Sequence, residues 1–257
     1  MPTLAELAGF LDATLDVAQI PDYPNAVNGV QLGNVGSIER VATAVDFSSE
    51  AVRGTIDARA GLLIVHHGMF WGGTQPIVGV RRQRLHLLLS HDIAVYSSHL
   101  PLDIHPTLGN NALLAKRLGL EPSAGFATYQ KIEVGLSGVS EVPTSLLCKR
   151  ARELATEYHG TLVATPFESD RVTRRWGICT GAGADSSTLR EASERGLDTL
   201  IVGEGPHHTA VEARELGIVI LYAGHYATET LGVRALGEAL SAHFKVPSTF
   251  IDAPTGL

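Results

Sequence analysis

From residue 38 onward, short apolar runs of β-branched character alternate with stretches whose apolar positions recur every three to four residues. The runs 41–45, 62–65 and 93–96 read as strands, and 50–60 and 83–89 between them read as amphipathic helices. After a helix at 112–118, a joint containing Gly, Pro and Ser spans 119–125, and a second series follows: strands at 131–136, 161–165, 172–180, 199–202 and 218–222, helices at 145–158, 188–195, 208–216 and 228–243. Strands separated by helices predict an α/β fold whose crossover connections leave the sheets mostly parallel. The joint predicts two α/β lobes, 1–125 and 126–225, with the last helix, in 226–257, returning to the first. At the start, Thr3-Leu4-Ala5-Glu6 has the form of a capping box, and Leu4, Leu7, Ala8, Leu11 and Leu15 follow at helical spacing.

Composition narrows the function classes. With 44% hydrophobic and 18% charged residues among 257, the chain has the make-up of a folded protein rather than a disordered one. Its longest apolar stretches, 61–65 and 218–221, are far shorter than the roughly 20 residues that cross a bilayer, so no membrane helix is expected. A net charge of −7 argues against a broad face for nucleic-acid phosphates. A local basic patch stays open: Arg81, Arg82 and Arg84 read first as a solvated helix face, with anion steering as the alternative. Cys148 and Cys179 are the only cysteines, too few for a disulfide framework, and no cationic leader precedes the first helix, so a reducing cytoplasm is the expected location.

The chemistry lies in the histidines. Several of the eleven follow predicted strands: His66-His67 after Val65, His99 and Asp103 after Tyr96, Glu204 and His207-His208 after Val202, and His225 after Tyr222. In open α/β sheets, ligands bind beyond the carboxyl ends of the strands. Neighbouring residues of a regular strand face opposite ways, so His66 and His67 are better suited to two adjacent ions than to one. His225 and Glu229 are four apart at a helix start and share a face. If Glu229 bridges, His67, Asp103 and Glu229 can hold one ion, and His66, His225 and Glu229 the other. Three protein ligands per ion leave an open position, as in catalytic sites. Without thiolate, the set suits zinc, iron, manganese, nickel or cobalt.

Each residue also has an ordinary structural reading: a strand histidine as a satisfied polar group, Asp103 as a turn cap before Pro106, Glu229 as a carboxylate at a helix N-terminus. Their joint placement at strand ends favours the metal site. His99, Glu204 and His208 are candidates for orienting ligands or moving protons, with turn capping as the alternative. Gly181-Ala182-Gly183-Ala184 reads as a tight turn before it reads as a phosphate loop, and Phe70-Trp71 as core before a stacking platform.

The motifs Asn28-Gly29-Val30-Gln31-Leu32-Gly33, Val65-His66-His67-Gly68-Met69-Phe70-Trp71, His99-Leu100-Pro101-Leu102-Asp103, Gly203-Glu204 and Ala223-Gly224-His225-Tyr226-Ala227-Thr228-Glu229 run in order along about four-fifths of the chain. Together they resemble the Ngg-interacting-factor-three-like family, whose members are also called dinuclear-metal-centre hexameric proteins or GTP cyclohydrolase I type 2 homologues. The resemblance implies metal ligation by His66, His67, Asp103, His225 and Glu229, two α/β lobes of the short form without an inserted domain, and a homohexamer enclosing a cavity. The resulting expectation is a cytoplasmic hydrolase that uses two divalent ions to activate water against a phosphoryl, amide or ring C–N centre of a small molecule. The alternative is a non-catalytic scaffold, regulatory or metal-trafficking protein.

Overall fold

A computed structural model describes residues 1–257, and contacts divide the chain into two units. The first comprises Met1–Leu102 and Gly232–Ala253, the second Asp103–Leu231 and Pro254–Leu257. In chain order the elements begin with α1 (Leu4–Leu15), β1 (Gly29–Leu32), β2 (Val41–Asp46), α2 (Ser49–Asp57), β3 (Leu62–His67), α3 (Gly79–Ser90), β4 (Ala94–Ser97) and α4 (Leu100–Asp103). There follow α5 (Asn110–Leu118), β5 (Ala124–Tyr129), β6 (Ile132–Pro143), α6 (Thr144–Glu157), β7 (Val163–Ala164), β8 (Val172–Cys179) and α7 (Ser186–Glu194). The chain closes with β9 (Thr199–Val202), α8 (His207–Glu215), β10 (Val219–Tyr222), α9 (His225–Phe244) and β11 (Ser248–Phe250).

The first unit is built on a sheet of order β1-β4-β3-β2-β11. All its pairings are parallel except β1 with β4. Every residue of β3 is buried, which is why the strand reads as an unbroken apolar run rather than an alternating one. Ala42, Ala44, Leu63, Val65 and Val95 of the sheet pack with Ala51, Val52 and Leu88 of α2 and α3. The reciprocal Thr3 and Glu6 box at the start of α1 is present as its sequence implies. The parallel register sets Asp46 beside His67, so the carboxyl ends of β2 and β3 finish together on a carboxylate and an imidazole.

The second unit has a sheet of order β5-β6-β8-β9-β10-β7. Parallel pairing, expected for most of the sheet, holds for β8–β9 and β9–β10, while the other three pairings are antiparallel. For β5 and β6 the reason is local: only Gln130 and Lys131 separate them, and so short a link permits a hairpin but no crossover. β5 also occupies part of the predicted joint. Gly125 is there for packing rather than punctuation, since a Cβ on it would lie 2.0 Å from Glu133 Oε2 on the paired strand. Phe126, Leu189, Leu200, Val202 and Ile220 form the core beneath α7 and α8. No helix of the chain is long and apolar enough to cross a membrane.

Candidate metal centre

In the first unit, β3 ends on His66-His67 and the chain turns away at Gly68. Strand alternation lapses at that end, and the ring centroids stand 4.7 Å apart, with His99 at 4.9 Å from His66 and 5.6 Å from His67. One ligand atom from each of these three buried histidines falls within 4.8 Å of the others, close enough to share an ion. The spacing argument that assigned His66 and His67 to different ions therefore does not bind them, because it assumed a regular strand.

Each ring is oriented by an acceptor. His66 Nδ1 donates to the Ser98 carbonyl at 2.9 Å, His67 Nδ1 to Asp46 Oδ1 at 2.9 Å and His99 Nδ1 to Asp22 Oδ1 at 2.8 Å. A carbonyl or ionised carboxylate can only accept, so the proton sits on Nδ1 of the neutral ring and the lone pair on Nε2. This is the arrangement by which a metal-ligating imidazole is held and made more basic. Asp22 is itself anchored: burial opposes its charge, yet hydrogen bonds from His99, Asn28 and Tyr23 hold its carboxyl below the usual carboxylate value. Asn28 completes the lock by accepting from the His99 backbone N–H at 2.8 Å while donating to Asp22 Oδ2. Gln31 Oε1 accepts from Met69 N at 2.6 Å and its amide crowds Gly68, where a Cβ would lie 2.4 Å away. Trp71 is not core: 37% exposed, its ring lies 4.9 Å from His67 and 4.4 Å from His99.

In the second unit, Asp103 is buried at the end of α4, and its Oδ1 accepts from Asn110 Nδ2 at 2.8 Å and Thr180 Oγ1 at 3.5 Å. Asn111 ties the same region together, donating to the Asp103 carbonyl and accepting from Thr180 N. These partners come from α5 and the end of β8, not from a turn at Pro106. His225 and Glu229 face one another across the first turn of α9, Nε2 to Oε2 at 3.1 Å, and His225 Nδ1 reaches Glu204 Oε1 at 2.7 Å. Burial opposes charge on His225, but the carboxylates of Glu229 and Glu204 on its two sides prevail and raise its pKa to about 9. Glu229 is buried, and Gly181 makes the room: at φ +62°, a Cβ there would lie 2.0 Å from Glu229 Oε1. The Gly181-Ala182-Gly183-Ala184 segment thus makes room for the carboxylate, and it exchanges backbone hydrogen bonds with Glu204 rather than closing a tight turn on itself. Burial pushes the Cys179 thiol up to about 12, reinforced by Asp103, Asp185, Glu229 and Glu191, so it stays protonated and offers no thiolate. His208 is exposed in the first turn of α8 and shares no hydrogen bond with these residues.

Asp46, Asp22, Asn28, Asn110 and Asn111 were not among the candidates read from sequence. Asp46 had a signal, since it closes a strand as His67 closes the next, Asn28 stood in a motif, and Asn110 and Asn111 lie within eight residues of Asp103; Asp22 acts on His99 across a distance in sequence that no local pattern reveals. The donors fit a divalent ion of borderline hardness: imidazole nitrogens with their other nitrogen occupied, buried carboxylates and no thiolate.

Fold and site together define an α/β protein with groups of His and Glu that could hold a metal ion. The chain belongs to the Duf34/NIF3 (NGG1p interacting factor 3) family, whose sequence profile matches residues 2–255. It is 39% identical over 252 residues to a Pyrococcus abyssi protein named GTP cyclohydrolase 1 type 2 homolog, covering 98% of both chains. Among solved structures it resembles protein ybgI, with TM-score 0.88 and 34% identity over 99% of this chain and 100% of that one. It also resembles TTHA1606 from Thermus thermophilus, with TM-score 0.80 and 32% identity over 98% of each.

Proposed function

We propose that His66, His67, Asp103, His225 and Glu229 would hold two divalent metal ions, and that the protein is a metal-dependent hydrolase of a small molecule. The observation that carries this reading is the shared state of the two strand imidazoles: His66 and His67 each have Nδ1 engaged by an oxygen acceptor, which leaves Nε2 as the ligand atom, while His225 is held between Glu204 on Nδ1 and Glu229 on Nε2. The relatives' name, GTP cyclohydrolase 1 type 2 homolog, lends support to a hydrolytic reaction. Divalent ions bound there supply Lewis-acid polarisation of a phosphoryl, amide or ring C–N centre and make water a competent nucleophile near neutral pH. The chain's own residues do the rest. Asp46 and Glu204 fix the angles of His67 and His225. His99 is the proton carrier of the proposal: its Nε2 accepts a proton while the Asp22 carboxylate, on Nδ1, stabilises the imidazolium that results. Trp71 limits the access of water to the histidines. The proposal includes the homohexamer and the cytoplasmic location that the resemblance and the thiol content imply.

The test is a hydrolysis screen over nucleotides, phosphate esters and cyclic amides with metal-analysed protein beside Asp103→Ala. Wild type is expected to turn over at least one class, and Asp103→Ala to lose turnover together with metal. No substrate distinguishing the two, on wild type carrying its ions, would remove the enzyme and leave a metal-binding scaffold.

A further inference from the structure

The first unit has a pocket of about 230 Å³ at the carboxyl ends of β2 and β3, with Asp46, Phe47, His67 and Trp71 on its wall and Arg81 and Arg84 of α3 also lining it. We propose that this pocket seats the anionic end of the substrate, a phosphate group, and that Arg81 and Arg84 are its contacts. The inference rests on the hydrolase reading only in calling the occupant a substrate.

The two arginines are three residues apart and share a face of α3. Neither enters an ion pair, and the one carboxylate of the pocket, Asp46, is committed to His67 at 2.9 Å. Both guanidinium groups are held in place by neutral partners. Arg84 Nη1 donates to the Phe47 carbonyl at 2.6 Å with its Cζ 4.8 Å from the Phe47 ring centroid, and Arg81 Cζ lies 5.9 Å from that of Phe70. Aromatic faces and a carbonyl orient a cation without cancelling its charge. Arg84 Nε is buried and meets no acceptor, a cost that a purely structural arginine has no reason to carry. Two oriented forks against the single Asp46 carboxylate leave the pocket net positive beside a candidate metal ligand.

The geometry favours phosphate over carboxylate. One arginine fork saturates a carboxylate, whereas two forks from adjacent turns match the three free oxygens of a phosphate monoester. Size sets the extent of the contact: the volume is below the roughly 300–1,000 Å³ of pockets that enclose a whole drug-sized ligand, so the pocket takes the charged end and leaves the remainder outside.

The experiment is calorimetric titration of inorganic phosphate, with acetate as the carboxylate arm, at fixed ionic strength into metal-loaded and chelator-stripped protein. Arg81→Gln is expected to weaken phosphate binding about tenfold, the scale of one lost charge-assisted contact, with metal content unchanged. Arg82→Gln removes the same charge from the next residue, which lies outside the pocket, and should leave affinity unchanged. Arg84→Lys keeps the charge but loses the fork and should also weaken binding, without risking the Phe47 contact as fully as Arg84→Ala would. Unaltered affinity in Arg81→Gln, or an equal loss in Arg82→Gln, would overturn the proposal. So would phosphate binding that disappears with the metal and ignores Arg81, or acetate binding tighter than phosphate. Arginine-dependent phosphate binding without turnover in any assay would sink the hydrolase reading alone.

Discussion

A methyl group at position 181 would stand 2.0 Å from Glu229 Oε1, closer than any non-bonded pair of heavy atoms tolerates, on a backbone whose φ of +62° already disfavours a side chain. Gly181→Ala is therefore expected to displace the Glu229 carboxylate. The variant should lose about 1–3 kcal/mol of stability, the usual cost of overpacking, and should retain less metal than wild type. Thermal denaturation and elemental analysis on the same preparation read both effects, and full metal content at an unchanged midpoint would show that Glu229 has room to spare. Position 181 also shows how far single residues were legible. His66, His67, Asp103, His225 and Glu229 stood out because imidazole and carboxylate at strand ends are uncommon and were grouped by motif. Asp22 did not, because its bond to His99 crosses 77 residues. Gly68 was visible as part of a motif, but its reason, the Gln31 amide against its face, was not.

One helix cap, the Thr3 and Glu6 box of α1, was readable in the sequence, and the cap of α7, which was not, offers a test. Asp185 caps it by accepting from Thr188 N at 2.7 Å, and Ser187 Oγ donates to the same oxygen. Burial works against the charge of Asp185, but these hydrogen bonds outweigh it and hold its pKa below 3.8. A carboxyl whose folded pKa lies below its unfolded one adds stability above the unfolded value, and that contribution fades as pH falls through the folded value. Asp185→Ala should then cost about 1 kcal/mol at neutral pH. Its deficit against wild type should narrow in acid, as pH falls below the ordinary carboxylate range and the wild-type carboxyl protonates as well. Urea unfolding at the two pH values decides it; a constant deficit would mean that the cap acts without its charge. Longer elements such as α6 and α9 were readable because many residues repeat their period, and β3 because its apolar residues run unbroken. β1, β5 and β11 were missed because none is an unbroken apolar run of the kind that marked β9 and β10.

For the whole molecule, the proposed ligands run from His66 to Glu229, so bound ions would link distant parts of the chain in the folded state and find no such set in the unfolded one. Free metal at 100 times its dissociation constant would then add about 2.7 kcal/mol to folding. Stripping with chelator should lower the thermal midpoint by several degrees, and restoring a divalent ion should recover it, as followed by calorimetry. Identical midpoints with and without metal would speak against the five-ligand assignment. The sequence alone determined the α/β class, the order of most elements and the residues rich in metal-binding chemistry, because periodicity, composition and motif order are properties of the chain itself. Tertiary structure decided what those residues do: which nitrogen of each imidazole carries the lone pair, which glycine makes space for Glu229, where the second sheet turns antiparallel, and that Arg81 and Arg84 line the His67 pocket without counter-ions. Each of these depends on contacts between residues remote in sequence or on the direction in which a side chain leaves its backbone, and neither is encoded in a local pattern.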